Sequence, residues 1–162
     1  MAQDDYFLKI DGVDGESKDD MFPNWIQIDS WTAGGSNSKP VATGGGSGAG
    51  KVSVKDVVIQ DVVSAATPTI HKFMLIGKRI AWAEIDCRKA GDTPQVYLKI
   101  KLTDVLISDH QVSARKGSSD LPPGEQFSLN FAMIEFAYGA QDEKGNVMSL
   151  DKKMGYDLRT NK

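Results

Sequence analysis

Hydrophobic and polar residues alternate along most of this chain, and the points where the alternation slips are as informative as the stretches where it holds. Val96, Leu98, Ile100 and Leu102 share one parity and Tyr97, Lys99, Lys101 and Thr103 the other, the period-two pattern of a half-buried strand. Residues 6–10 form a shorter apolar run, ended by the turn-rich Asp11-Gly12-Val13-Asp14-Gly15. In residues 25–31, Ile26 and Ile28 point one way and Gln27 and Asp29 the other. Residues 51–63 also alternate, but Val52 and Val54 differ in parity from Val57 and Ile59, so a bulge or bend is expected near Asp56. Phe127, Leu129, Phe131 and Met133 give way to Ile134, Phe136 and Tyr138, which predicts a second bulge. Residues 80–88 and an arm within 147–158 complete the strands, and after Ser108 a turn is expected to lead into 111–115.

One segment has helical period instead. Ile70, Phe73, Met74 and Gly77 fall at i, i+3, i+4 and i+7, Thr67 can serve as N-cap, Pro68 suits the first helical position and Gly77 can stop the helix. Many strands, regular turns and a single short helix predict a mainly β chain, an antiparallel barrel or sandwich with the helix flanking one side. With 162 residues, it is expected to form one domain over 1–162.

The longest connection, about residues 34–50, is rich in glycine. Gly45, Gly50 and Lys51 fit the spacing of a phosphate loop, but Val52 stands where Ser or Thr must ligate magnesium. Such a loop leaves a buried strand and enters a helix, whose first N–H groups hold the phosphate. Here a polar, turn-like segment precedes the tract, and a strand pattern follows it. A long, adaptable connection is the better reading.

Charge and chemistry narrow the classes further. A net charge of −3 with scattered Lys and Arg argues against a dedicated nucleic-acid binder. Cys87 is the only cysteine, which excludes an intrachain disulfide framework, and it is expected to be a buried structural thiol. His71 and His110 are far apart in sequence, so no metal or cofactor is implied. No leader pattern opens the chain and no apolar run is long enough to span a bilayer, so it is expected in the cytoplasm, with any export independent of an N-terminal leader. Glu84 and Asp86 share a strand face but read as solvated positions, and the adjacent Asp109 and His110 are expected to point apart. Ser47, Ser118 and Ser119 lack a nucleophile-elbow spelling. The chain is therefore read as no enzyme. Trp25, Trp31 and Trp82 leave open a monomeric β-sandwich module that binds carbohydrate, although strand tryptophans ordinarily pack in cores or subunit interfaces.

Several segments, in order, resemble the haemolysin-coregulated protein (Hcp) family of bacterial type VI secretion. These are Tyr6-Phe7-Leu8-Lys9-Ile10 followed by Gly15-Glu16-Ser17, the strand ending at Trp31, and the tract of residues 44–51 before a Val-rich strand. Thr67-Pro68, Arg88-Lys89-Ala90-Gly91, Ser128-Leu129-Asn130-Phe131 and Gly155-Tyr156 continue the match. Ala33 stands where that family often has a second aromatic residue, and Met21-Phe22-Pro23 where it often has a charged linker. The resemblance implies a compact two-sheet β-barrel that forms hexameric rings, stacked into a secreted tube. It further implies that Thr32 faces the ring lumen and contacts small effector proteins. Trp31, Gly44, Gly45, Gly46, Ser47, Gly48, Gly50 and Lys51 would serve ring assembly and stacking. Partners would be further copies of the chain, effectors, and the sheath and spike of the machine, with no nucleic acid and no membrane insertion.

Overall fold

The computed structural model describes residues 4–38, 52–91, 93–117 and 122–162. In chain order the elements are β1 (Asp5–Ile10), β2 (Ile26–Ile28), β3 (Ser30–Thr32), β4 (Gly35–Asn37), β5 (Val52–Val54) and β6 (Val57–Val62). They continue with α1 (Thr67–Ile76), β7 (Ile80–Lys89), β8 (Gln95–Ser113), β9 (Gly124–Tyr138) and β10 (Lys152–Asp157). The main sheet runs β2-β1-β7-β8-β9-β6-β3, with β10 on the far half of β9, and all pairs are antiparallel.

The expected strand over 25–31 is two strands, and this break nearly closes the barrel. β2 pairs with β1 at one end of the sheet and β3 with β6 at the other. At their joint the Asp29 amide donates to the Gln60 carbonyl at 2.9 Å. Ile28 is buried and Trp31 also packs on the core, so the inward parity changes across Asp29 and Ser30. The chain thus leaves one edge of the sheet and joins the other, leaving little open edge for further strands.

Inside the barrel lie Leu8, Ile10, Ile59, Ile85, Ile100, Leu102, Phe127 and Leu129, each with no measurable exposure. Removing such side chains from water stabilises the fold by about 1.5–3 kcal/mol each before entropy. The bend expected near Asp56 is present: β5 leaves the main sheet to pair with β4, and β6 rejoins it. The parity change between Phe131 and Ile134 is present too, but its cause differs from a bulge. Register stays one-to-one from Thr103↔Met133 to Val105↔Phe131. Both strands change phase together, with Asp104 taking a left-handed φ of 55°. This is a shared bend of two long strands curling around the core.

The turn expected after Ser108 does not occur. β8 continues for 19 residues, and the extra residue is absorbed by a register shift between Ile107 and Asp109. Ser108 is left unpaired in the ladder, and its hydroxyl donates to Asp56 Oδ2 at 2.5 Å. The shift exchanges the faces: Ile107 and His110 point in, where uninterrupted alternation would have put Asp109.

α1 has the expected bounds at its end and a different start. Gly77 takes a left-handed φ of 60°, and its N–H and that of Lys78 return to Met74 and Phe73 carbonyls, a glycine-type stop. Ala66, not Thr67, is the N-cap, and no side chain caps the helix. Thr67 is the first helical residue, and its hydroxyl donates to the Glu125 carboxylate across the barrel mouth. Of the expected stripe, Ile70 is fully buried and Phe73 and Met74 are partly so.

A loop over residues 11–25 covers the outside of β1 and is clasped by Arg88. The guanidinium donates to both oxygens of Asp19 at 2.8 Å and to Asp5 at 2.9 Å. It also lies 5.0 Å and 5.6 Å from the ring centres of Phe7 and Phe22, which stack on each other at 4.3 Å.

Candidate functional site

Trp31 and Thr32 are neighbours on β3 and point to opposite faces of the barrel wall. Trp31 is half-buried, set edge-on to Tyr6 with ring centres 6.4 Å apart, and packs on the core. Thr32 is exposed, in register with Val58 on β6, which is in turn opposite Ser128 on β9. Two residues back on the same face, Ser30 donates to Gln60 Oε1 at 3.3 Å, and Gln60 donates to Gln126 Oε1 at 3.1 Å. Gln111 on β8 is the register partner of Gln126. The result is a band of uncharged hydroxyl and amide groups crossing β3, β6, β9 and β8 beside Thr32. It borders a groove of about 300 Å³ lined by the carboxylates of Asp29, Asp61 and Glu125 as well as by Gln60, Gln111, Ser113 and Gln126. Amide and hydroxyl groups present donors and acceptors with no net charge, a surface suited to polypeptide contacts of varied sequence.

β4 and β5 form a separate two-stranded hairpin, five of whose six residues are exposed. Between its arms in sequence are Gly44, Gly45, Gly46, Ser47, Gly48, Gly50 and Lys51, which lie outside the described residues, as does the phosphate-loop spelling. Val52 begins a strand and not a helix, so a helix N-terminus that could hold phosphate does not follow the tract.

The inner face ends in a polar cluster that the sequence did not reveal. His71 on α1 and His110 on β8 approach with their Nδ1 atoms 2.8 Å apart. On the other side of the His110 ring, Nε2 is 3.7 Å from Glu125 Oε1, and both side chains are fully buried. Burial lowers the His110 pKa, the Glu125 charge opposing it. Asp61, in register with Glu125, is 6% exposed and neither carboxylate oxygen has a hydrogen-bond partner. Burial first, then the charges of Glu125 and Asp29, push its pKa to about 8. No group of three or more potential metal-ligating side chains occurs among the described residues.

Asp86 corrects a second expectation. Alternation predicts a solvated position for it beside Glu84, yet it is 3% exposed, flanked in register by Phe7 and Lys99, with Lys99 Nζ at 3.8 Å. Burial foremost, then the Glu84 side chain, raises its pKa to about 8. Cys87 is buried as expected, and burial raises its thiol to about 12. Trp25 in the 11–25 loop, Trp31 on β3 and Trp82 on β7 are all half-buried and do not line up as one platform.

Fold and surfaces together define a small, nearly closed β-barrel with a helix across one mouth and a hairpin standing off the wall. The family model described as "Type VI secretion system effector, Hcp" matches residues 7–138. The chain is 36% identical over 158 residues to Protein hcp1 of Pseudomonas aeruginosa, covering 97% of this chain and 96% of that one. Hcp1 from Salmonella typhimurium superposes with a TM-score of 0.77 at 31% identity, covering 100% of this chain and 99% of that one. A solved type six secretion system protein superposes with a TM-score of 0.88 at 26% identity, covering 99% of both chains. The chain belongs to the Hcp family, and it is a type VI secretion tube-like protein.

Proposed function

We propose that this chain is the structural subunit of a type VI inner tube. Residues 1–162 form one domain, six copies close into a ring, and rings stack. The observation that carries this reading is the end-to-end overlap with solved Hcp chains, together with a hairpin that has no partner strand in its own barrel. A tube needs an element that reaches from one ring to the next, and β4–β5 with the glycine tract of residues 44–51 is the segment assigned to that contact. The half-exposed edge of Trp31 is assigned to the contact between neighbouring subunits. A heterologous interface with a closing rotation gives a ring of this kind without further components.

Thr32 and the amide band beside it are assigned to the lumen, where they contact small effector proteins. Uncharged polar groups suit a chaperone that must hold several cargoes and let them go. Sheath and spike components are the remaining partners, and catalysis is not required of a tube wall. The protein accumulates in the cytoplasm before firing and is then secreted. No helix among the described residues is long and apolar enough to cross a membrane.

Light scattering coupled to size exclusion, with negative-stain imaging of the main peak, tests the assembly. Rings of six chain masses are expected, and a strict monomer at high concentration refutes the reading. Thr32→Glu then tests the lumen. Ring mass should be unchanged while co-purification of a small effector falls, and unchanged effector recovery would remove Thr32 from the contact.

A further inference from the structure

We propose that the contact between His71 and His110 is an acid-released latch fastening α1 to the barrel mouth. Two polar links hold the helix there: the Thr67 hydroxyl to Glu125, and the His71 ring to the His110 ring. Ile70 is fully buried beneath it, and Phe73 and Met74 pack partly on the core. The polar links add to this apolar contact and fix the first two turns of α1 at the mouth.

Electrostatics selects the hydrogen positions. The Glu125 carboxylate faces His110 Nε2 at 3.7 Å, so that nitrogen carries the hydrogen. His110 Nδ1 is then an acceptor, and His71 must donate across the 2.8 Å contact. A proton on His110 Nδ1 sets two N–H groups against each other, and the link breaks. Closed and open states thus differ by a proton on His110, and opening is driven by the lost hydrogen bond.

The surroundings set the direction. Toward His110 face His71 from α1, Glu125 and Phe127 from β9, and its own neighbour Asp109 on β8, while Thr67 of α1 reaches Glu125. Behind Glu125 stands Asp61 on β6, whose pKa is raised by burial and then by the charges of Glu125 and of Asp29 at the β2–β3 joint. Burial is the largest influence on His110 and depresses its pKa, with Glu125 opposing. The sign follows: the latch is closed while His110 is neutral and is lost as pH falls through a value below the ordinary histidine range of about 6.5. This device is independent of the tube reading and would operate in a lone subunit or a ring.

Hydrogen–deuterium exchange of the intact protein between pH 7.5 and 4.5, corrected for intrinsic exchange chemistry, tests it. Protection of α1 should fall at least tenfold across this range while β7, β8 and β9 keep theirs. His71→Ala, at an exposed position with no core to lose, should give low α1 protection at every pH. His110→Phe, which fills the buried site with an uncharged ring, should abolish the pH dependence. A flat α1 profile in the parent would overturn the proposal. So would the parent's profile persisting in His71→Ala, or strands and helix losing protection together.

Discussion

Asp61 makes a quantitative prediction because its carboxyl group is buried, has no hydrogen-bond donor and lies near two further acids. Its pKa rises from 3.8 to about 8, burial being the main cause, with Glu125 and Asp29 adding to it. The folded chain therefore keeps a proton that the unfolded chain releases above about pH 4. Where the unfolded state binds fewer protons, stability falls as pH rises, by about 1.4 kcal/mol per unit for one group. The loss starts near pH 4, continues to about pH 8 and then levels, for a total of at most about 6 kcal/mol. Asp61→Asn keeps the shape and removes the ionisation. Relative to the parent, the variant should gain about 4 kcal/mol between pH 5 and pH 8. The assay is urea unfolding read by far-ultraviolet circular dichroism at each pH unit, at one protein concentration so that assembly contributes equally. His110 acts in the opposite sense below its unfolded pKa, but it is present in both proteins and cancels in the difference. Parallel stability profiles for parent and variant would refute the reasoning, because the buried carboxyl would then be solvated or paired.

Three further outcomes follow from other sites. Arg88→Ala strips the partner from Asp5 and Asp19 and the cation from beside the stacked Phe7 and Phe22 rings, so unfolding free energy should fall by about 3 kcal/mol. Its check is the urea midpoint, and a change under about 0.5 kcal/mol would show that the clasp contributes little. Gly15→Ala should cost at least about 2 kcal/mol, because a Cβ there would lie 2.3 Å from the Trp25 carbonyl oxygen, and the main chain must move. A thermal melt unchanged by this substitution would refute the close approach. Cys87, with its thiol raised to about 12 by burial, should resist a disulfide reagent at pH 8 until urea unfolds the protein, and rapid native labelling would contradict the packing.

Much of the architecture was legible in the residues because it is local. The alternation over 96–102 placed Ile100 and Leu102 inside, and Gly77 stopped the helix for want of a Cβ at positive φ. The phase changes near Asp56 and between Phe131 and Ile134 marked real bends. The ordered set of segments pointed to the Hcp family, and the match over residues 7–138 agrees. The failures of strand phase share one reason: parity holds only until a residue is inserted or a strand bends. The shift at Ser108 turned His110 inward, where an expected turn had put it outside any ladder. A strand expected to be continuous over 25–31 broke at Asp29, and this break is what joins the two edges of the sheet.

Residue order alone was enough to mark most strand runs, the glycine stop of the helix and the family. Which groups meet across the barrel came from how the sheet closes. It brought His71 to His110 over 39 residues and Arg88 to Asp5 over 83, and it buried Asp86 on a face that alternation had marked as solvated. Period and propensity act over a few neighbouring bonds, whereas burial and ion pairing depend on what a closed sheet places opposite each side chain. That opposition is set by register and barrel closure, which no local stretch of chain contains.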